Sequence, residues 1–367
     1  MKVLSIIDSF KGTLTSNELG QIASLVFKNK GFESSYFPIS DGGDGFLDCL
    51  ENIKKCRRVD INIKNPLFVN TNSYYIVDED NVAYIEMAKS SGINMVPKHK
   101  MNPMLSSTYG LGQMIKDAII KGHKTIFVGL GGSATNDAGV GMMESLGAKF
   151  LDSNGQVIEN TTPLQMEKIS DIYLDDFYEL TKDIKFVILS DVVNPFLGQN
   201  GASYVFSPQK GANKKMVNEL ENIMYNYSNL VKSKTKIDKT KSLGAGAAGG
   251  IGYAFHTFFE TEFKNGINSL LDMIGFNNIS NEYDFIVTGE GKIDKQSLGG
   301  KVIQGILEKN TKSKIILVCA INELKVNELS KYNIHSCYSI VNMITDEKNS
   351  KKYPHKYFRE LCESIKF

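Results

Sequence analysis

The chain has 367 residues, with 42 Lys plus Arg against 41 Asp plus Glu, a net charge of +1 and 42% apolar residues. That length predicts two domains with large cores, and the near-neutral balance calls for neither nucleic acid nor an anionic membrane as partner. Five scattered cysteines without a C-x-x-C pair suit a reducing cytoplasm and speak against structural zinc. The apolar run at residues 3–7 is too short for a signal peptide, and the uncharged stretch at 243–259 is glycine-filled and short for a membrane span, so the expectation is a cytoplasmic protein.

Val3-Leu-Ser-Ile-Ile7 reads as the first strand and stops at Asp8-Ser-Phe-Lys-Gly12. A helix opens at Thr15-Ser-Asn-Glu18, a capping-box pattern, with Leu19, Ile22, Ala23 and Val26 as its buried face. Asp8 and Lys11 thus fall just past the carboxyl end of a strand, where open α/β sheets place ligands. A second strand, residues 34–39, ends at Ser40-Asp41-Gly-Gly-Asp-Gly45 before a helix from Phe46. Residues 59–63, 73–77 and 84–87 read as strands, and a helix follows from about Gly110 to Lys121.

Lys124-Thr-Ile-Phe-Val128 reads as a buried parallel strand, and Val140-Gly-Met-Met-Glu-Ser-Leu146 as a helix. Between them runs Gly129-Leu-Gly-Gly-Ser-Ala-Thr-Asn-Asp-Ala-Gly139, a glycine turn that leaves backbone N–H groups free at a helix start and so favours phosphate. The spacing Gly129-x-Gly131-x-x-Ala134, with Asp152 downstream, also satisfies the loose dinucleotide fingerprint, and a turn without a ligand satisfies it equally. Asp137 shifts the reading. A carboxylate beside phosphate is repulsive unless a cation lies between, so the turn suits a Mg-nucleotide better than a dinucleotide.

Residues 185–189 form a strand ending at Ser190-Asp191-Val-Val-Asn-Pro195. Lys210, beside Gly211, reads as a flexible cation suited to phosphate and ordinarily solvated. Residues 214–232 form an amphipathic helix, and 232–241 an exposed loop. Gly244-Ala-Gly-Ala-Ala-Gly-Gly250 fits G-x-G-x-x-G but follows no strand; close helix packing and a second backbone wall for a ligand are both open. Asp284-Phe-Ile-Val-Thr288 is a strand ending at Gly289-Glu-Gly-Lys-Ile-Asp294, Lys301 starts a helix, and residues 315–319 and 337–341 complete the strands. The lysine-rich tail from Lys348 reads as a surface helix.

Strand ends therefore carry Asp8, Asp41, Asp137, Asp191 and Glu290, with Lys11, Lys210 and Lys301 available. Facing one another, they would make an acidic, glycine-walled cleft suited to phosphoryl transfer. Mg2+ needs hard oxygens, phosphates need N–H groups and lysine, and the acceptor hydroxyl needs a carboxylate to take its proton.

With these motifs in order, the sequence resembles the bacterial two-domain glycerate kinases. The matching pieces are Asp8-Ser-Phe-Lys-Gly12, Ser40-Asp-Gly-Gly-Asp-Gly45, Ile85-Glu-Met-Ala88, Asn102-Pro103 with Ser107-Thr-Tyr-Gly110, and the turn from Gly129 to Asp137. They continue with Asp191-Val-Val-Asn-Pro195, Gly201-Ala-Ser with Pro208-Gln-Lys-Gly-Ala212, the stretch Gly244 to Gly250, and Thr288-Gly-Glu-Gly-Lys-Ile-Asp294. Asp44, Ala138 and Lys292 stand where the family usually has Glu, Gly and Arg, and Lys292 loses the bidentate fork of Arg. The stretch Ala320-Ile-Asn-Glu323 fits the family less well.

The resemblance implies ATP-dependent, Mg2+-requiring phosphorylation of D-glycerate to 2-phospho-D-glycerate, with 3-phosphoglycerate as the other product assigned to such proteins. It implies an α/β fold of two domains with mainly parallel sheets, the second inserted into the first and the cleft between them. The first comprises residues 1–60 plus 281–367, is Rossmann-like and is discontinuous; the second, 61–280, carries the glycine-rich loops. Carried onto this chain, Gly131, Gly132, Ser133, Thr135, Asn136, Gly246, Gly249 and Gly250 would wall the nucleotide. Ser9, Asp41, Gly42, Gly43, Asn194 and Lys301 would hold the substrate. Asp137, Glu290 and Asp294 would bind metal, and Asp191, Lys11, Asp8 and Lys210 would carry the chemistry. A homodimer is compatible with this reading. Two rivals remain: an NAD-dependent oxidoreductase using Gly129, Gly131, Ala134 and Asp152, and a non-enzymatic two-domain receptor for a small acid.

Overall fold

The computed structural model describes residues 1–294, 301–324, 332 and 334–367; the side chain of Lys301 lies outside this description. The chain is mixed α/β with mainly parallel sheets, and it divides into two compact units. One comprises Met1–Asp41, Asp48–Lys55 and Asn265–Phe367; the other comprises Gly42–Leu47 and Cys56–Lys264. The crossings follow from pairing and packing. The strand Cys56–Lys64 pairs with Asn70–Asp78 in the second unit, whereas the helix Gly266–Met273 packs through Ile267 and Leu271 against Gly305 of the helix Lys301–Lys309 in the first. Among the described residues no helix is long and apolar enough to cross a membrane.

The first unit is built on five parallel strands in the order Ile334–Ser339, Lys314–Asn322, Phe285–Ile293, Lys2–Ile7, Glu33–Tyr36. Val3, Ile7, Phe285, Val287, Ile316 and Val318 are buried in one cluster with Leu19, Ala23, Val26 and Phe27 of the helix Ser16–Asn29. That helix starts where the sequence predicts: the Thr15 hydroxyl accepts from the Glu18 amide, and Glu18 accepts from the Thr15 amide. The strand after it ends at Tyr36, earlier than the expected 39, because Pro38 has no N–H for the ladder. The last strand ends at Ser339 rather than 341, since the Ser339 hydroxyl caps the next helix by accepting from the Asn342 amide.

The second unit holds a six-stranded sheet. Thr261–Lys264, Lys185–Leu189, Thr125–Gly129 and Ala83–Glu86 run parallel, followed by Asn70–Asp78 and Cys56–Lys64 in antiparallel pairing. The amphipathic helix Lys214–Thr235 buries Val217, Leu220, Ile223, Met224, Tyr227 and Val231, as its periodicity predicts. Lys149–Leu151, Val157–Ile158 and Asp171–Tyr173 form a separate antiparallel sheet. That placement removes the dinucleotide reading: Asp152 lies in the turn after Lys149–Leu151, where its carboxylate accepts from the Asn154 and Gln156 amides. A ribose-binding acid would instead end the next parallel strand of the main sheet.

Candidate active site

In the second unit, Gly129 ends the parallel strand Thr125–Gly129, and the Leu130 amide donates to the Leu189 carbonyl of its neighbour. Asp191 therefore emerges beside this turn, half-buried. The turn next pairs with residues 91–93: Ile93 donates to the Gly132 carbonyl and Ala134 to the Ser91 carbonyl. At its bend Gly132 is exposed, and the amides of Gly131 and Gly132 are accepted by no described group. Unmet N–H groups at a strand-to-helix turn are what an anion requires.

The rest of the turn is interior. Ser133 is nearly buried, and Thr135, Asn136 and Asp137 are fully buried. Lys210 is the main surprise. It is 2% exposed rather than solvated, and its ammonium donates to the Ser133 hydroxyl (2.9 Å) and the Thr135 carbonyl (2.6 Å). Burial lowers its pKa to about 7, against the pull of Asp137. It braces the turn from behind.

Asp137 was expected to bind metal. Its Oδ2 accepts from the Thr108 amide (2.7 Å), the Thr108 hydroxyl (2.8 Å) and the Gly141 amide (3.3 Å), and its Oδ1 from the Gly139 amide (3.2 Å). Burial pushes the carboxyl up, and these donors oppose it. The carboxylate is thus occupied in fixing the turn to the start of the helix Tyr109–Ile120, and it does not fit an ion.

The second glycine run meets the first through backbone. At Gly249, with φ +78°, a Cβ would strike the Thr135 carbonyl, and the Gly249 carbonyl accepts from the Ala138 amide. A Cβ on Gly246 would strike the Pro195 carbonyl, and one on Gly250 the Phe196 ring. Close packing against the chain itself accounts for the absence of a side chain at these three glycines. Asn194 sits in the same layer: its carbonyl accepts from the Gly246 amide, and its side chain donates to the Asn200 carbonyl.

The segment Gly42–Leu47 closes on the turn from another side. A Cβ on Gly131 would stand 2.6 Å from the Gly43 Cα, and one on Gly129 would strike the Gly42 carbonyl. Sequence reasoning assigned no role to Glu86, which is fully buried here, with its Oε2 accepting from the Leu47 amide at 3.0 Å. The signal available was its place at the end of a buried strand in Ile85-Glu-Met-Ala88, where a charge needs a partner.

In the first unit, Asp8 follows the strand Lys2–Ile7; its amide donates to the Gly289 carbonyl, and its carboxylate accepts from the Ser9 amide at 2.7 Å. Burial and the Asp41 charge push its pKa up to about 7, Glu290 adding and the Ser9 amide and Lys11 opposing. Asp8 thus lies within electrostatic reach of Asp41, Glu290 and Lys11 at this sheet end. Their hard oxygens fit Mg2+. Among the described residues no group of three or more His, Cys, Asp or Glu could hold a metal ion. Asp294 is half-buried at the end of Phe285–Ile293.

The chain matches the model of the glycerate kinase family over residues 3–366. It is 33% identical over 349 residues to a glycerate 2-kinase of Escherichia coli (strain K12), covering 94% of this chain and 91% of that one. It is 30% identical over 375 residues to a glycerate kinase of Bacillus subtilis (strain 168), covering 100% and 98%. A solved structure named as a glycerate kinase 2 from Salmonella typhimurium LT2 superposes with a TM-score of 0.80 at 28% identity, over 99% of this chain and 96% of that one.

Proposed function

The chain belongs to the glycerate kinase family, and we propose that it transfers the γ-phosphoryl group of ATP to the 2-hydroxyl of D-glycerate, in the cytoplasm, giving 2-phospho-D-glycerate and ADP. The observation that carries this reading is the pair of unaccepted amides at Gly131 and Gly132, braced from behind by the Lys210–Ser133 bond. The name of the Escherichia coli relative supports the 2-position.

In this reading the ATP phosphates lie on the Gly131–Gly132 amides. Asp191, beside the same turn, takes the hydroxyl proton as the glycerate oxygen attacks the γ-phosphorus and the bond to the ADP oxygen breaks. Ser9 and Asp41, with Gly42 and Gly43, are assigned to the substrate, and Lys11 to its carboxylate or to phosphate charge. Asp8 and Glu290 are the residues that would hold Mg2+, and Asp294 is the third candidate. When bound, the ion supplies neutralisation of phosphate charge. Lys210 acts through the turn, being enclosed. The role of Lys301 rests on the resemblance alone.

A phosphorus NMR time course with ATP, Mg2+ and D-glycerate, with L-glycerate as control, tests this directly. A 2-phosphoglycerate resonance is expected. A 3-phosphoglycerate resonance would move the acceptor hydroxyl, and intact ATP with folded protein would refute the reading.

A further inference from the structure

Glu86 has no part in the chemistry proposed above, yet it is an acid buried completely in the second unit. Burying a carboxylate is costly unless hydrogen bonds offset it. Its Oε2 accepts from the Leu47 amide, in the first turn of the helix Phe46–Ile53, and the Gly45 amide also donates to the carboxyl. A carboxylate there meets both the unpaired amides and the positive end of the helix. Its Oε1 has no hydrogen-bond partner among the described residues. The charged groups that face it are Lys89, from the helix Ala88–Ser91, and Asp44, from the turn itself.

The backbone on the far side of this contact is what makes the position consequential. The segment that Glu86 grips carries Gly42 and Gly43, and these touch Gly129 and Gly131 so closely that no side chain fits between them. The two glycine segments are distant in the chain, and strand pairing does not join them. We propose that Glu86 is a positioning residue that clamps the Gly42–Leu47 segment onto the Gly129–Gly132 turn, so that the exposed amides of that turn are held ready for a phosphate group. The phosphate part rests on the kinase reading; the clamp does not.

The test is hydrogen exchange by mass spectrometry on ligand-free protein, comparing the native chain with Glu86→Ala and Glu86→Gln. In Glu86→Ala the amides of residues 42–47 exchange at least about tenfold faster while those of the six-stranded sheet do not change. Glu86→Gln keeps one acceptor oxygen for Leu47 and recovers most of the protection. Unchanged exchange at 42–47, or loosening spread over the whole sheet, overturns the clamp. In turnover, Glu86→Ala raises KM for ATP about tenfold with kcat within about threefold of native, and Glu86→Gln stays near native; a fall in kcat at unchanged KM overturns the positioning role. Native protein without turnover would refute the kinase reading and leave the exchange experiment to decide the clamp.

If Glu86→Ala does not fold, pH decides. Burial raises the Glu86 pKa to about 7, with Lys89 opposing and Asp44 adding. The ionised form accepts more strongly than the acid, so native protection at 42–47, corrected for intrinsic exchange, rises through that pH. The same rise in Glu86→Gln overturns the proposal.

Discussion

The Lys210 ammonium donates to the Ser133 hydroxyl across 2.9 Å inside the protein, and the Thr135 carbonyl accepts from the same nitrogen. Two points of the glycine turn thus depend on one side chain from a distant segment. Replacing it by methionine keeps the length and leaves both acceptors unpaired, at an expected cost of about 1–3 kcal/mol in urea unfolding. The sign of the pH dependence follows from burial. The folded lysine has a pKa of about 7, and the unfolded one roughly 10. Between those values the unfolded state binds more protons, so native stability rises with pH relative to Lys210→Met, and the difference levels off above that window. A difference independent of pH between 7 and 9.5 would contradict this assignment.

Asp137→Asn separates a structural acid from a metal ligand. The carboxylate accepts from four donors, and an amide turns one of its two oxygens into an NH2 group that faces donors. The expected loss is about 2–3 kcal/mol in chemical unfolding. The Mg2+ midpoint of turnover should stay at its native value, because the carboxylate is enclosed. A shifted midpoint with unchanged stability would restore Asp137 as a ligand.

Much of the scaffold was legible in the sequence for identifiable reasons. The helix Ser16–Asn29 announces itself through both a capping box and a buried stripe. Strands such as Lys314–Asn322 read as continuous apolar runs because parallel sheets cover both faces. Thr261–Lys264 carries little signal, since Thr-Glu-Phe-Lys is short and mostly polar, as edge strands are. The site was legible as a set of strand-end acids and glycines, but not in its division of labour. A lysine beside glycine reads as solvated, and only the packing of Ser133 and Thr135 shows that Lys210 is enclosed. Glycine spacing likewise does not tell a wall for phosphate from a wall for another backbone, which is why the sequence leaves both readings open at Gly246, Gly249 and Gly250.

That distinction can be measured at Gly249. Alanine there must adopt φ +78° and also displace the Thr135 carbonyl. Gly155, with φ +77° and nothing within 4 Å, supplies the control for strain alone. Gly155→Ala is expected to cost about 1 kcal/mol, and Gly249→Ala at least about 2 kcal/mol more, from the forced backbone shift. The excess should come with a raised KM for ATP, since Thr135 anchors the turn. Equal costs at the two positions would show that the two loops are free to separate.

Asp191 is the acid on which the chemical assignment turns. It stands past the strand Lys185–Leu189, whose last carbonyl accepts from the Leu130 amide at the start of the glycine turn. A proton acceptor must lie beside the transferred phosphoryl group, and the proposal gives that place to this acid, which as a residue is less buried than Asp137. Asp191→Asn keeps the shape and removes the basicity, so kcat should fall about 10²–10⁴-fold. The midpoint of thermal unfolding should shift little, because the residue is only half-buried. Full turnover in this variant would exclude Asp191 from proton transfer and pass the role to the acids at the other sheet end, of which Asp8, with its pKa raised to about 7, is the next to replace.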